Sequence, residues 1–145
     1  MLDLPLLPEG YDFHHLGYAT TSMKRERAIF QSLGYNQEGE IFSDPIQGVT
    51  GCFMTGPGPR IEFLENLPGS ETLSPWIKTG IKLYHFAYWV DCIDSAINWA
   101  RVQRAKVTVQ PVPAVAFDER RICFLMFCNG LMLEFIEKTS NNRKL

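Results

Sequence analysis

His15 and Glu62, and then His85 and Glu134, form two matched pairs with nearly the same spacing. Each histidine lies early in an apolar, strand-like run, FHHLGYAT and LYHFAYWVD. Each glutamate lies inside another such run, RIEFLE and LMLEFIE. An ionisable side chain in an apolar strand is costly unless it is paired, hydrogen-bonded or bound to a metal. Two copies of one pattern point to a duplicated module whose four polar residues meet at one site. Two neutral imidazoles and two carboxylates suit a divalent transition metal ion, with Co, Ni, Zn, Mn and Fe all open.

The elements that would carry these residues also repeat. Residues 13–20 read as a strand, and 22–33 as a helix with Ile29 and Leu33 on one face and Gly34 as its stop. Short strands follow at 38–42, 49–55 and 60–65, with the GPGP turn at 56–59 before the last of them. Residues 67–81 form a connector with a helical turn near 74–78. The order then restarts with a strand over 82–90. Asp91 can cap a helix over 92–104, on which Ile93, Ala96, Ile97 and Ala100 share a buried face. Strands at 107–110, 121–127 and 131–137 complete the second copy, and Asn129-Gly130 is a hairpin turn signal.

Each half is therefore βαβββ, and the fold class is α+β. Alternation along the strands puts His15 with Gly17 and Ala19, His85 with Ala87 and Trp89, and the two glutamates on matching faces. Leu16, Tyr18, Phe86, Tyr88, Leu133 and Phe135 lie on the opposite faces, where they can pack under the helices. A curved mixed sheet, with helices outside and four polar groups on its concave side, is the expected arrangement.

At 145 residues the chain has the size of one domain, and 46% hydrophobic content is enough for a core. A net charge of −2 gives no general affinity for nucleic acid or an anionic membrane. No run reaches the roughly 18 apolar residues of a membrane span. Residues 1–11 lack a signal peptide's basic start and read as a leader, and 139–145 as a polar tail, so a cytoplasmic location is expected. Cys52, Cys92, Cys123 and Cys128 form no CxxC pair and read as reduced, buried thiols.

These motifs resemble the vicinal oxygen chelate superfamily, which includes glyoxalase I, methylmalonyl-CoA epimerase, extradiol dioxygenases and antibiotic-resistance proteins. The resemblance spans 12–138 as one domain, with module one at 12–66, the connector at 67–81 and module two at 82–138. HHLGYA is similar to the first strand of the epimerase branch, DPIQGV to its PEQGV segment, and LMLEFIE to its final strand. The resemblance makes His15, Glu62, His85 and Glu134 the metal ligands, with Glu134 and Glu62 as the catalytic carboxylates. It implies a small-molecule substrate and a homodimer. An isomerase or lyase acting through an enolate-like intermediate of an acyl substrate is the expected activity.

The departures narrow this. Ile46 stands where PEQGV has Glu, and there is no carboxylate from 45 to 61, so the second acid or base expected of an epimerase is absent there. Tyr18 stands where glyoxalase I carries Arg, which argues against glutathione. Two alternatives remain: a non-haem iron dioxygenase, and a protein that sequesters a small apolar molecule. His14 reads as structural, Glu65 and Glu137 as solvent-facing strand ends, and Arg120 and Arg121 as a solvated turn able to grip an anion. Trp76, Trp89 and Trp99 read as core or interface residues, with Trp89 on the His85 face.

Overall fold

The computed structural model describes residues 6–139. The start of the expected leader, 1–5, and the tail from 140 onward lie outside the described residues. The chain is α+β and carries the expected pair of βαβββ modules. The first consists of β1 (Asp12–Ala19), α1 (Met23–Ser32), β2 (Asn36–Asp44), β3 (Val49–Thr55) and β4 (Ile61–Asn66). A short helix, α2 (Ser74–Thr79), follows in the connector. The second module consists of β5 (Leu83–Val90), α3 (Ile93–Val102), β6 (Lys106–Pro113), β7 (Arg121–Met126) and β8 (Met132–Glu137). Two compact units result: His15–His85, and Phe86 onward together with the described residues before His15.

In the unit His15–His85 the strand order is β2-β3-β4-β1, with β1 parallel to β4 and the other pairs antiparallel. α1 starts where the Ser22 side chain accepts the Arg25 N–H and Glu65 accepts the Met23 N–H. Glu65 is thus a helix cap and not a solvent-facing strand end. The helix buries Met23 and Glu26 and packs Phe30 against Tyr18, Tyr35 and Phe63. Ile29 and Leu33 are instead exposed. A glutamate occupies the buried stripe and hides it from any hydrophobic count. Glu26 accepts from the Tyr18 hydroxyl at 2.9 Å and the Thr20 hydroxyl at 3.2 Å, and it pairs with Arg25 and Lys82.

In the other unit the order is β5-β8-β7-β6, with β5 parallel to β8. α3 buries Ile93, Ala96, Ile97 and Ala100, as its spacing predicts, against Val90, Cys123, Leu125, Leu133 and Phe135. Its N-cap is Cys92, without a side-chain bond. The cap comes from Glu137, which accepts the Ile93 N–H at 3.0 Å and pairs with Arg121 at 2.9 Å, while Asp91 turns to Lys138. Glu137 is buried, again contrary to the expected exposed strand end. Phe86 does not pack under a helix. It is exposed and meets Phe13 edge-on at 6.3 Å.

β2 and β6 run longer than their hydrophobic cores predict. Both stand at the ends of the strand order, where one side of the ladder is unpaired among the described residues and polar residues or proline (Pro111, Pro113) are tolerated. Among the described residues, no helix is long and apolar enough to cross a membrane.

Burial first, and then the Glu26 carboxylate, push the Tyr18 phenol up to about 12. The folded value lies above the unfolded one, near 10. The stability this gives is therefore complete below about pH 10 and is lost as pH rises through about 12. Difference titration of the wild type against Tyr18→Phe should show a phenolate forming near 12. A midpoint near 10 would contradict the buried Tyr18–Glu26 contact.

Candidate metal centre

Parallel pairing brings the first module's pair together. Glu62 on β4 lies opposite Gly17 on β1, and His15 shares the Gly17 face two residues earlier. The His15 Nε2 therefore comes within 3.2 Å of the Glu62 Oε1. The second histidine arrives from the start of β5. The Ala19 N–H donates to the Lys82 carbonyl at 2.8 Å, which anchors the chain three residues before His85. The His85 Nε2 then stands 3.1 Å from the His15 Nε2 and 3.8 Å from the Glu62 Oε1.

All three side chains are buried, His15 at 0% exposure, His85 at 2% and Glu62 at 5%. Phe53 meets the His15 ring edge-on at 5.3 Å, and Tyr84 meets the His85 ring at 4.5 Å. Removing a carboxylate from water costs several kcal/mol. A hydrogen bond to a charged group returns about 1.5–3 kcal/mol. One such bond offsets only part of the cost, so the cluster is dear as structure and natural as a cation site.

The donor set passes a simple fit test. Ligands at about 2.0–2.2 Å from one ion stand about 3–3.5 Å apart. The two shorter separations, 3.1 and 3.2 Å, fall in that range, and the third needs only a side-chain adjustment of a few tenths of an ångström. Two nitrogens and a carboxylate oxygen are ligand types for zinc, nickel, cobalt, manganese or iron.

The second module repeats the internal register. Glu134 on β8 lies opposite Ala87 on β5, and His85 precedes Ala87 by two residues, as His15 precedes Gly17. Glu134 is 2% exposed. Burial first, then the Glu134 charge, push the Cys123 thiol up to about 12.

The remaining expected groups have other roles. Arg121 is taken up by Glu137 and Asp94. Arg120 donates to the Phe117 and Lys138 carbonyls and lies over the Trp89 ring, so it ties the turn to β8. His14 packs edge-on against Trp89 and Phe117 in the second unit, which fits its structural reading. Trp99 packs on Phe127 and Phe135, and Trp76 on Tyr84. β3, with the sequence VTGCFMT, offers no carboxylate beside Glu62, as expected. The missed residues are Phe53 and Tyr84, which read as ordinary strand aromatics, and Gly17, whose signal was a glycine inside a strand.

Residues 14–124 match the model of the glyoxalase/bleomycin resistance protein/dioxygenase superfamily. A solved structure of a hypothetical protein from Bacillus halodurans C-125 is similar at 27% identity and a TM-score of 0.76, over 91% of this chain and 97% of that one. Methylmalonyl-CoA epimerase from Mycobacterium tuberculosis is similar at 19% identity and a TM-score of 0.73, over 88% of each chain. A Streptomyces coelicolor methylmalonyl-CoA epimerase variant in complex with 2-nitronate-propionyl-CoA gives 17% and 0.69, over 89% of this chain and 98% of that one. No curated protein matches the chain.

The four cysteines are free, but only Cys52 and Cys123 are buried, whereas Cys92 and Cys128 are exposed, against the expectation for all four. Burial raises both inner thiols, and hydrogen bonding from Ser95 lowers Cys92. A disulfide reagent at neutral pH should label Cys92 and Cys128 in the native protein, Cys92 faster, and the inner pair only in denaturant. Rapid native labelling of Cys123 would contradict its burial in the cluster under α3.

Proposed function

The chain belongs to the glyoxalase/bleomycin resistance protein/dioxygenase superfamily, and on that premise we propose that it is a metal-dependent isomerase or lyase. Its substrate is a small acyl compound, such as a CoA thioester, that passes through an enolate-like intermediate. The observation that carries this reading is the buried His15–Glu62–His85 cluster at ligand spacing. Glu134 is proposed as the fourth ligand, because its module repeats the register of the first. The proposal takes 12–138 as one domain.

When bound, a divalent ion supplies Lewis acidity to an oxygen on which negative charge develops. The protein residues do the rest. His15 and His85 would hold the ion through their ring nitrogens. Phe53 and Tyr84 keep water from the imidazoles. Glu134, or Glu62, takes the proton from the carbon next to the carbonyl and returns it. A single carboxylate of this kind can exchange the α-proton on one face. The bare β3 supplies no partner on the other, so exchange is expected to outrun inversion. The same bare strand is the observation that favours the rival reading, a protein that sequesters a small apolar molecule.

A cytoplasmic homodimer is part of the proposal. The exposed Phe13 and Phe86 rings, side by side on one unit, support a self-contact.

The test is elemental analysis after loading with each ion, combined with mass spectrometry of methylmalonyl-CoA in D2O. About one ion per chain is expected, lost in His15→Ala/His85→Ala. Metal-dependent deuterium uptake should fall by about two to four orders of magnitude in Glu134→Gln. Failure to retain any ion would reject the enzyme reading, and ligand binding that persists in the double variant would favour sequestration.

A further inference from the structure

Gly17 sits in the middle of β1, fully inside the unit, where glycine weakens a strand and packs nothing of its own. Its backbone does not call for glycine, since it is not among the residues with positive φ. Space does. A Cβ built at Gly17 would fall on the His85 imidazole, closer than 3.0 Å to its Cε1, Nδ1 and Nε2 atoms. The ring cannot slide away easily. It is 2% exposed, with Tyr84 edge-on at 4.5 Å and His15 edge-on at 5.2 Å.

The matching position of the second module makes the point by contrast. Ala87 lies opposite Glu134 as Gly17 lies opposite Glu62, and it keeps its methyl group while fully buried. The duplicated register therefore tolerates a side chain at this position, and Gly17, beneath the His85 ring, has none.

We propose that Gly17 is a positioning residue for the metal centre: the side chain it lacks is the space that holds the His85 imidazole against β1, with Nε2 turned to His15 and Glu62. This rests on the metal reading above. Gly17 touches neither metal nor substrate and acts through the ring alone.

The test is Co(II) titration of the full chain, followed by visible absorption, with circular dichroism as a check on folding. The wild type should bind, and Gly17→Ala should bind about 10- to 100-fold more weakly, the loss typical when a ligand's orientation is disturbed. In His85→Gly, added imidazole should restore the wild-type spectrum. In Gly17→Ala/His85→Gly it should not, because the methyl group fills the ring's bed. The double variant carries the test if Gly17→Ala alone does not fold, since no clash remains in it. Unchanged affinity in Gly17→Ala, or equal rescue of the double variant, would overturn the inference and leave the metal reading standing. If the wild type itself binds no Co(II), the metal reading fails. Ring 15N spectra of the apo protein then decide the role of Gly17. A shift of His85 signals in Gly17→Ala supports it, and unmoved signals reject it.

Discussion

A carboxylate and two imidazoles buried among aromatic rings set the terms for the rest of this fold. Desolvation of Glu62 costs several kcal/mol, and the neighbouring histidines repay only part of it. Such a group stays buried only where the surrounding elements hold its partners within reach. The parallel pairing of β1 with β4 does this for His15, and the backbone bond from Ala19 to Lys82 does it for His85. α1 stabilises those strands by packing Phe30 against Tyr18 of β1 and Phe63 of β4.

The two modules solve a second problem in the same way. Each helix begins without an adequate cap of its own for the first N–H. In each case a glutamate near the end of the module's last strand accepts that proton, Glu65 for Met23 and Glu137 for Ile93. Three residues after the candidate ligand Glu62 or Glu134, the same strand thus ties the helix to the sheet. The duplication therefore extends beyond the candidate ligands to the joints that orient them. It also accounts for the buried Glu137, which a reading by polarity alone places in solvent.

The candidate site was legible because its signal is local and periodic. A histidine or glutamate inside an alternating apolar run stands out, and the repeat shows that it occurs twice. α3 was legible for the same reason, since Ile93, Ala96, Ile97 and Ala100 leave one clean stripe. α1 was not, because Glu26 occupies the buried stripe and takes its partners from Tyr18, Thr20 and Lys82 on other elements. The Glu65 and Glu137 caps were not legible either, since each links residues more than 40 positions apart. The lengths of β2 and β6 escaped notice because strands at the ends of the order need no hydrophobic face. Gly17 carried a readable sign, a glycine within a strand, but its meaning depended on a ring arriving from far along the chain.

The most direct test of this account is X-ray absorption at the metal edge of the cobalt-loaded protein. The account predicts two imidazole nitrogens with oxygen donors at about 2.0–2.2 Å, and one imidazole fewer in His85→Ala. A first shell containing sulfur, or one unchanged by losing His85, would place the metal elsewhere and contradict the reading of His15, Glu62 and His85 as its ligands.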